Sequence, residues 1–118
     1  MESGPELADL QARLRTFAQE RDWQQFHTPK NLAMALAGEV GELVELFQWL
    51  TPEESQTLQA DTAGRVRDEL ADVQIYLLRL ADVLGVDLTA AVESKVALNE
   101  SRYPPDKARG RATKYTDL

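Results

Sequence analysis

Apolar residues recur every three to four positions along most of the chain, and Pro29, Pro52, Gly85 and Pro104-Pro105 cut that pattern into pieces. A period near 3.6 lines up such residues on one face of an α-helix, whereas a strand needs strict alternation, and no segment alternates convincingly. The pattern predicts an all-α fold with short connections, a four-helix-bundle type of architecture.

Leu7, Leu10, Leu14 and Phe17 mark a first helix over about residues 5–22. The loop WQQFHTPKN follows, and Pro29 and Lys30 suit the first turn of a second helix running to about Leu50. Thr51, Pro52 and Glu54 form a capping-box pattern that starts a short polar helix to about Ala60. Asp61 or Thr62 caps a third, long helix that stops at Gly85. Asp87 caps a fourth helix to about Arg102, which Tyr103-Pro104-Pro105 ends. Residues 104–118 are a polar, locally basic tail with Lys107, Arg109, Arg111 and Lys114, and 1–118 reads as one domain.

With 118 residues, 43% of them hydrophobic, the chain can bury one core. Leu70, Val73, Leu77, Leu80 and Leu84 lie on one side of the third helix, and Ile75 and Leu78 on another. Four helices of this length cannot cover both sides, so a second subunit is expected to do so. The absence of cysteine excludes disulfides and thiolate metal sites. The start MESGPELADL lacks a signal pattern, and no apolar run approaches the roughly 18 residues of a membrane span, so a cytoplasmic protein without a membrane partner is expected. A net charge of −7 disfavours polymeric nucleic acid as a partner, but not a small phosphate ligand carried with a metal.

The segment GEVGELVELFQW, Gly38 to Trp49, places two glycines and three glutamates inside a helix. An interior glycine costs about 1 kcal/mol relative to alanine, and like charges at this spacing repel. On a helical projection Leu32, Leu36, Val40, Leu43, Val44, Phe47 and Leu50 form the core face. The opposite stripe carries Asn31, Gly38, Glu42, Glu45 and Trp49, with Glu39 at its edge. The glycines leave room for a group to approach the backbone beside the acids. On the third helix, DELADVQIY puts Glu69 and Asp72 on one face with Tyr76 a turn beyond. Two antiparallel helices can aim these acids at one point, where mutual repulsion calls for a cation. Carboxylate-only ligation suits Mg²⁺, Mn²⁺ or Ca²⁺. A solvated acidic face is the plain alternative. A di-iron bundle requires Glu-x-x-His, which the only histidine, His27, does not supply.

Glu39-x-x-Glu42, followed after 26 residues by Glu69-x-x-Asp72, resembles the signature of the MazG-like, all-α nucleoside triphosphate pyrophosphohydrolases. ERDWQQFHTPKNLAMALAGEVGELVELFQW, DELADVQIYLL, SKVALNESRYP and KYTDL make the resemblance closest to the dCTP pyrophosphatase branch. The resemblance implies Mg²⁺-dependent cleavage of a nucleoside triphosphate, dCTP or a modified dCTP, to monophosphate and pyrophosphate, in the service of nucleotide-pool sanitation. Mn²⁺ is a possible substitute. It implies metal ligands at Glu39, Glu42, Glu69 and Asp72, and a homo-oligomer: a fold completed by dimerisation and assembled as a tetramer, a dimer of dimers. Glu42 or Glu45 is the candidate general base.

The family positions also make Trp23, His27, Asn31, Trp49 and Tyr76 candidates around the nucleoside, since aromatic faces stack on any base. Lys95, Asn99, Arg102 and Tyr103, on one helix end, and Lys114 in the tail are candidates for the nucleotide or its phosphates. In one departure, dCTP-directed relatives carry a histidine where this chain has Leu14, which points to relaxed base or sugar choice. Two other readings use the same residues: a catalytically silent helical oligomer that binds nucleotides or protein partners, and an all-α pyrophosphatase for another substrate such as dUTP or phosphoribosyl-ATP.

Overall fold

A computed structural model describes residues 6–118. Among them every regular element is helical: α1 (Leu7–Glu20), α2 (Pro29–Glu45), α3 (Pro52–Ser55), α4 (Ala60–Leu84), α5 (Leu88–Arg102) and α6 (Pro105–Ala108), with 3₁₀ turns at Gln24–Phe26 and Tyr115–Asp117. Pro5, the expected start of α1, lies outside the described residues. The chain divides into two compact units, one ending at Val86 and the other spanning Asp87–Leu118. No helix among the described residues is long and apolar enough to cross a membrane.

The local signals at Pro29, Thr51, Asp87 and Gly85 act where they were expected, and Thr28 adds a cap that the sequence reading did not assign. Thr28 caps α2 by accepting from the Asn31 N–H, with Pro29 at the first helical position. Thr51 and Glu54 close a reciprocal capping box, at 3.1 and 2.8 Å. Asp87 caps α5 by accepting from the Ala90 N–H. Gly85 adopts φ +69° to end α4, and Val86 N–H reaches back to the Ala81 carbonyl, a Schellman closure.

Three expectations are corrected. α2 stops at Glu45 rather than Leu50. Leu46, Phe47 and Leu50 donate to carbonyls three residues back, so the chain tightens before Thr51, whose position ahead of Pro52 disfavours helical backbone. α3 is a single turn, over by Ser55. α4 starts at Ala60, capped by Gln59 without a side-chain bond, and Asp61 lies in its first turn, where its charge suits the helix dipole.

In the first unit α1 and α2 both pack on α4. Ala18, Leu32, Leu78 and Ala81 are the fully buried apolar residues, and Gln11 donates to the Leu78 carbonyl across α1 and α4. The core face expected on α2 is only partly covered: Leu32 is buried, but Val40 and Val44 are exposed, Val44 at 52%. Leu70 and Leu84 of α4 are likewise more than half exposed.

In the second unit, α5 exposes Val92, Val96 and Leu98. At its end Arg102 lies 4.4 Å over the Tyr115 ring, and Tyr103 meets the same ring edge-on at 5.9 Å.

Candidate active site

Glu39 from α2 and Glu69 and Asp72 from α4 converge, each offering a carboxylate oxygen within 4.8 Å of the others. The i, i+3 spacing puts Glu69 and Asp72 on one face of α4, and α2 packs against that helix. One oxygen each of Glu39 and Glu69, Oε2, is buried without a hydrogen-bond partner. Burial pushes the Glu39 carboxyl up to about 7, and Glu69, Glu42 and Asp72 push in the same direction. Burial also raises Glu69; the facing Glu39 opposes this, while Glu42 and Asp72 add to it. Glu42 is an exposed neighbour of this cluster, close enough to act on both carboxyls. Glu45, the last residue of α2, is exposed and is not brought into it.

Oxygen-only donors, two of them buried and lacking any donor of their own, fit a hard divalent cation. The glycines nearby are not demanded by the chain's own packing. A methyl group at Gly38 or Gly41 would meet nothing within 4 Å.

A pocket of about 210 Å³ lies against the same long helix, lined by Leu14, Phe17, Trp23, His27, Tyr76 and Arg79 among others. A second Schellman closure shapes its wall. Asp22 takes the left-handed conformation at φ 53°, and the Trp23 N–H returns to the Ala18 carbonyl at 2.9 Å. That turn brings Trp23 edge-on to Phe17 at 5.6 Å and to His27 at 6.3 Å. Asn31 ties down the following loop by donating to the Phe26 carbonyl at 3.0 Å.

Of the candidates for the nucleoside, Trp23, His27 and Tyr76 meet in this pocket. Trp49 does not join them. Because α2 ends four residues earlier, Trp49 sits on a turn rather than in the helical acid stripe, and it is 86% exposed. Asn31 serves its own loop. Lys95, Asn99, Arg102, Tyr103 and Lys114 all lie in the second unit. Leu14, the position of the departure from the dCTP-directed pattern, lines the pocket.

Sequence reasoning missed Arg79. It is the buried charged residue of the first unit, 5% exposed, donating from Nε to His27 Nδ1 at 3.3 Å and from Nη1 to Asp82 Oδ2 at 3.1 Å. Asp82 also receives two bonds from Arg15. Those bonds hold its carboxyl below the usual range, against the opposing effect of burial. The available signal was an arginine inside the apolar run YLLRLADVL, three residues before an aspartate.

A helical unit that opposes acids from two long helices beside an aromatic pocket is an all-α carboxylate-site protein. The MazG-like family model matches residues 35–118, and the chain belongs to that family. It is 51% identical over 116 residues to dCTP pyrophosphatase 1 of Rattus norvegicus, covering 97% of this chain and 68% of the relative. Over 116 residues it is 49% identical to dCTP pyrophosphatase 1 of Homo sapiens, with the same coverage of each. The solved structure of a pyrophosphatase from Archaeoglobus fulgidus matches with a TM-score of 0.70 at 38% identity, over 88% of this chain and 97% of the other.

Proposed function

We propose that this chain is a nucleoside triphosphate pyrophosphohydrolase that converts dCTP, or a modified dCTP, to the monophosphate and pyrophosphate and so clears unwanted deoxynucleotides. The observation that carries the reading is the meeting of Glu39, Glu69 and Asp72, with two buried oxygens that no donor satisfies. These three residues would hold Mg²⁺, with Mn²⁺ as a substitute, and Glu42 stands beside them without joining the group. A cation there would neutralise the polyphosphate and the charge that develops on the departing pyrophosphate.

The chain's own residues supply the rest. Trp23, Tyr76 and Phe17 form an apolar wall on which a base can stack, at the pocket beside α4. Glu42 orients a water and accepts its proton as the water oxygen bonds to the α phosphorus, while the bond from that phosphorus to the oxygen bridging to the β phosphate breaks and pyrophosphate departs. Glu42 is preferred to Glu45 as base because it acts on Glu39 and Glu69 directly. Nucleotide contacts by Asn31, Trp49, Lys95, Asn99, Arg102, Tyr103 and Lys114 rest on the family resemblance. Leu14 in the pocket wall supports a base choice less strict than that of a pocket with a histidine there. The exposed Val40, Val44, Leu70 and Leu84 support a homodimer or homotetramer.

The test is pyrophosphate release with Mg²⁺ over canonical and modified deoxynucleoside triphosphates, with Glu42→Gln as control. Release that favours cytosine nucleotides and disappears in the variant is the expected result. Release from every base alike would remove the cytosine assignment, and no release at all would remove the enzymatic one.

A further inference from the structure

Arg79 occupies a position that the hydrolytic chemistry does not explain. Its guanidinium is almost fully buried, and a buried charge is costly unless every neighbour is placed to receive it. Here Asp82 accepts from Nη1 at 3.1 Å, and Asp82 is itself gripped by Arg15 through Nε at 2.9 Å and Nη2 at 2.5 Å. This pair of bonds fixes the orientation of the Arg79 fork. Its Nε–H then points at His27 Nδ1, 3.3 Å away.

An arginine cannot act as acceptor. The Nδ1 atom that receives its proton must therefore present a lone pair, which leaves the ring proton of neutral His27 on Nε2. Burial and the neighbouring Arg79 charge both oppose a second proton on the ring. Arg79, Arg15, Asp82 and Gln24 line the groove on one side of His27, and Trp23 and Tyr76 the pocket on the other. Of these, Arg79 is the one that hydrogen-bonds to Nδ1.

We propose that Arg79 is a positioning residue that holds His27 as the Nε2–H tautomer, so that the aromatic pocket presents a hydrogen-bond donor, and not an acceptor, to its occupant. For a pyrimidine this means that His27 meets a ring carbonyl or an unprotonated ring nitrogen, and not an exocyclic amino group, whose N–H bonds need an acceptor. The tautomer assignment stands on the pocket alone, and its consequence for a base rests on the function proposed above.

His27 is the only histidine in the chain, so histidine-selective ¹⁵N NMR reads its tautomer without ambiguity. The expected spectrum of the free protein at neutral pH shows one unprotonated ring nitrogen, Nδ1, and a proton on Nε2. A proton on Nδ1 would overturn the proposal, whatever the enzyme assay shows. Arg79→Lys keeps a charge and a donor and is expected to keep the tautomer. Arg79→Met is expected to give a mixture of tautomers and to raise KM for dCTP about tenfold with little change in kcat, the size of one lost hydrogen bond. Arg79→Met with the wild-type tautomer and KM would also overturn it. If Arg79→Met does not fold, the wild-type and Arg79→Lys spectra decide. Failure to hydrolyse any nucleotide would remove the functional reading and leave the tautomer result standing.

Discussion

Glu39 and Glu69 meet from two different helices, and each carries a buried Oε2 that no hydrogen bond satisfies. Burial first, and the facing carboxyls after it, disfavour the ionised form, so that without a metal the Glu39 carboxyl titrates at about 7 rather than 4.5. Between those values the folded chain holds a proton that the unfolded chain has released. The contribution of this site to stability is therefore complete below the unfolded value and is lost as pH rises through the folded one. A divalent cation needs the ionised form, so Mg²⁺ should stabilise the protein more at high pH and release a proton on binding. Thermal unfolding with and without Mg²⁺ at about pH 5 and about pH 8 checks both signs. A larger Mg²⁺ increment at the lower pH would contradict the site.

Replacing Glu39 by Gln keeps that side chain uncharged at every pH and brings an amide donor to the carboxylate cluster. Glu39→Gln should melt at a higher temperature than the wild type without metal, lose the Mg²⁺-dependent increment, and lose turnover by at least about 100-fold. A variant that is more stable and inactive is the signature of a site strained for function. Loss of stability together with activity would instead make Glu39 a structural residue.

Glu42 and Glu45 separate in the structure, because only Glu42 acts on the buried pair. Glu42→Gln is expected to reduce kcat by about 100-fold, whereas Glu45→Gln should stay within a few-fold of wild type. Turnover measured beside Mg²⁺ affinity distinguishes a base from a ligand: a base variant keeps its affinity. The reverse order of effects would move the base to Glu45.

Gly38 and Gly41 have open space where a Cβ would stand. Gly38→Ala and Gly41→Ala should each stabilise α2 by about 0.5–1 kcal/mol in urea titrations, since alanine is the better helix former. If the bare stripe serves the approach of a nucleotide or a second subunit, the same changes lower kcat/KM or weaken self-association. Alanines that stabilise the chain and leave activity and assembly intact would leave the glycines without that role.

Much of this was legible in the sequence because it depends on short-range chemistry. The Thr51–Glu54 box, the Asp87 cap and the left-handed Gly85 each need only a few neighbouring residues to form. Heptad-scale spacing also brought Glu69 and Asp72 to one face. The end of α2 was less legible. Apolar periodicity continues through Phe47 and Leu50, but the backbone after Glu45 tightens into bonds three residues back that side-chain spacing does not announce. This one local effect removed Trp49 from the acid stripe. Asp22 escaped notice for a related reason: the left-handed turn that aims Trp23 uses an aspartate where glycine is the usual sign.

By itself the sequence determined the order of the helices, the caps at Thr51, Asp87 and Gly85 and the two acid pairs, since these follow from propensity and period along the chain. Only the tertiary structure decided that Glu39 joins Glu69 and Asp72 while Glu45 stays outside, and that Arg79 reaches His27 across 52 residues of sequence. Such pairings depend on the rotation of one packed helix against another, a long-range quantity that hydrophobic spacing constrains to a face but not to a contact.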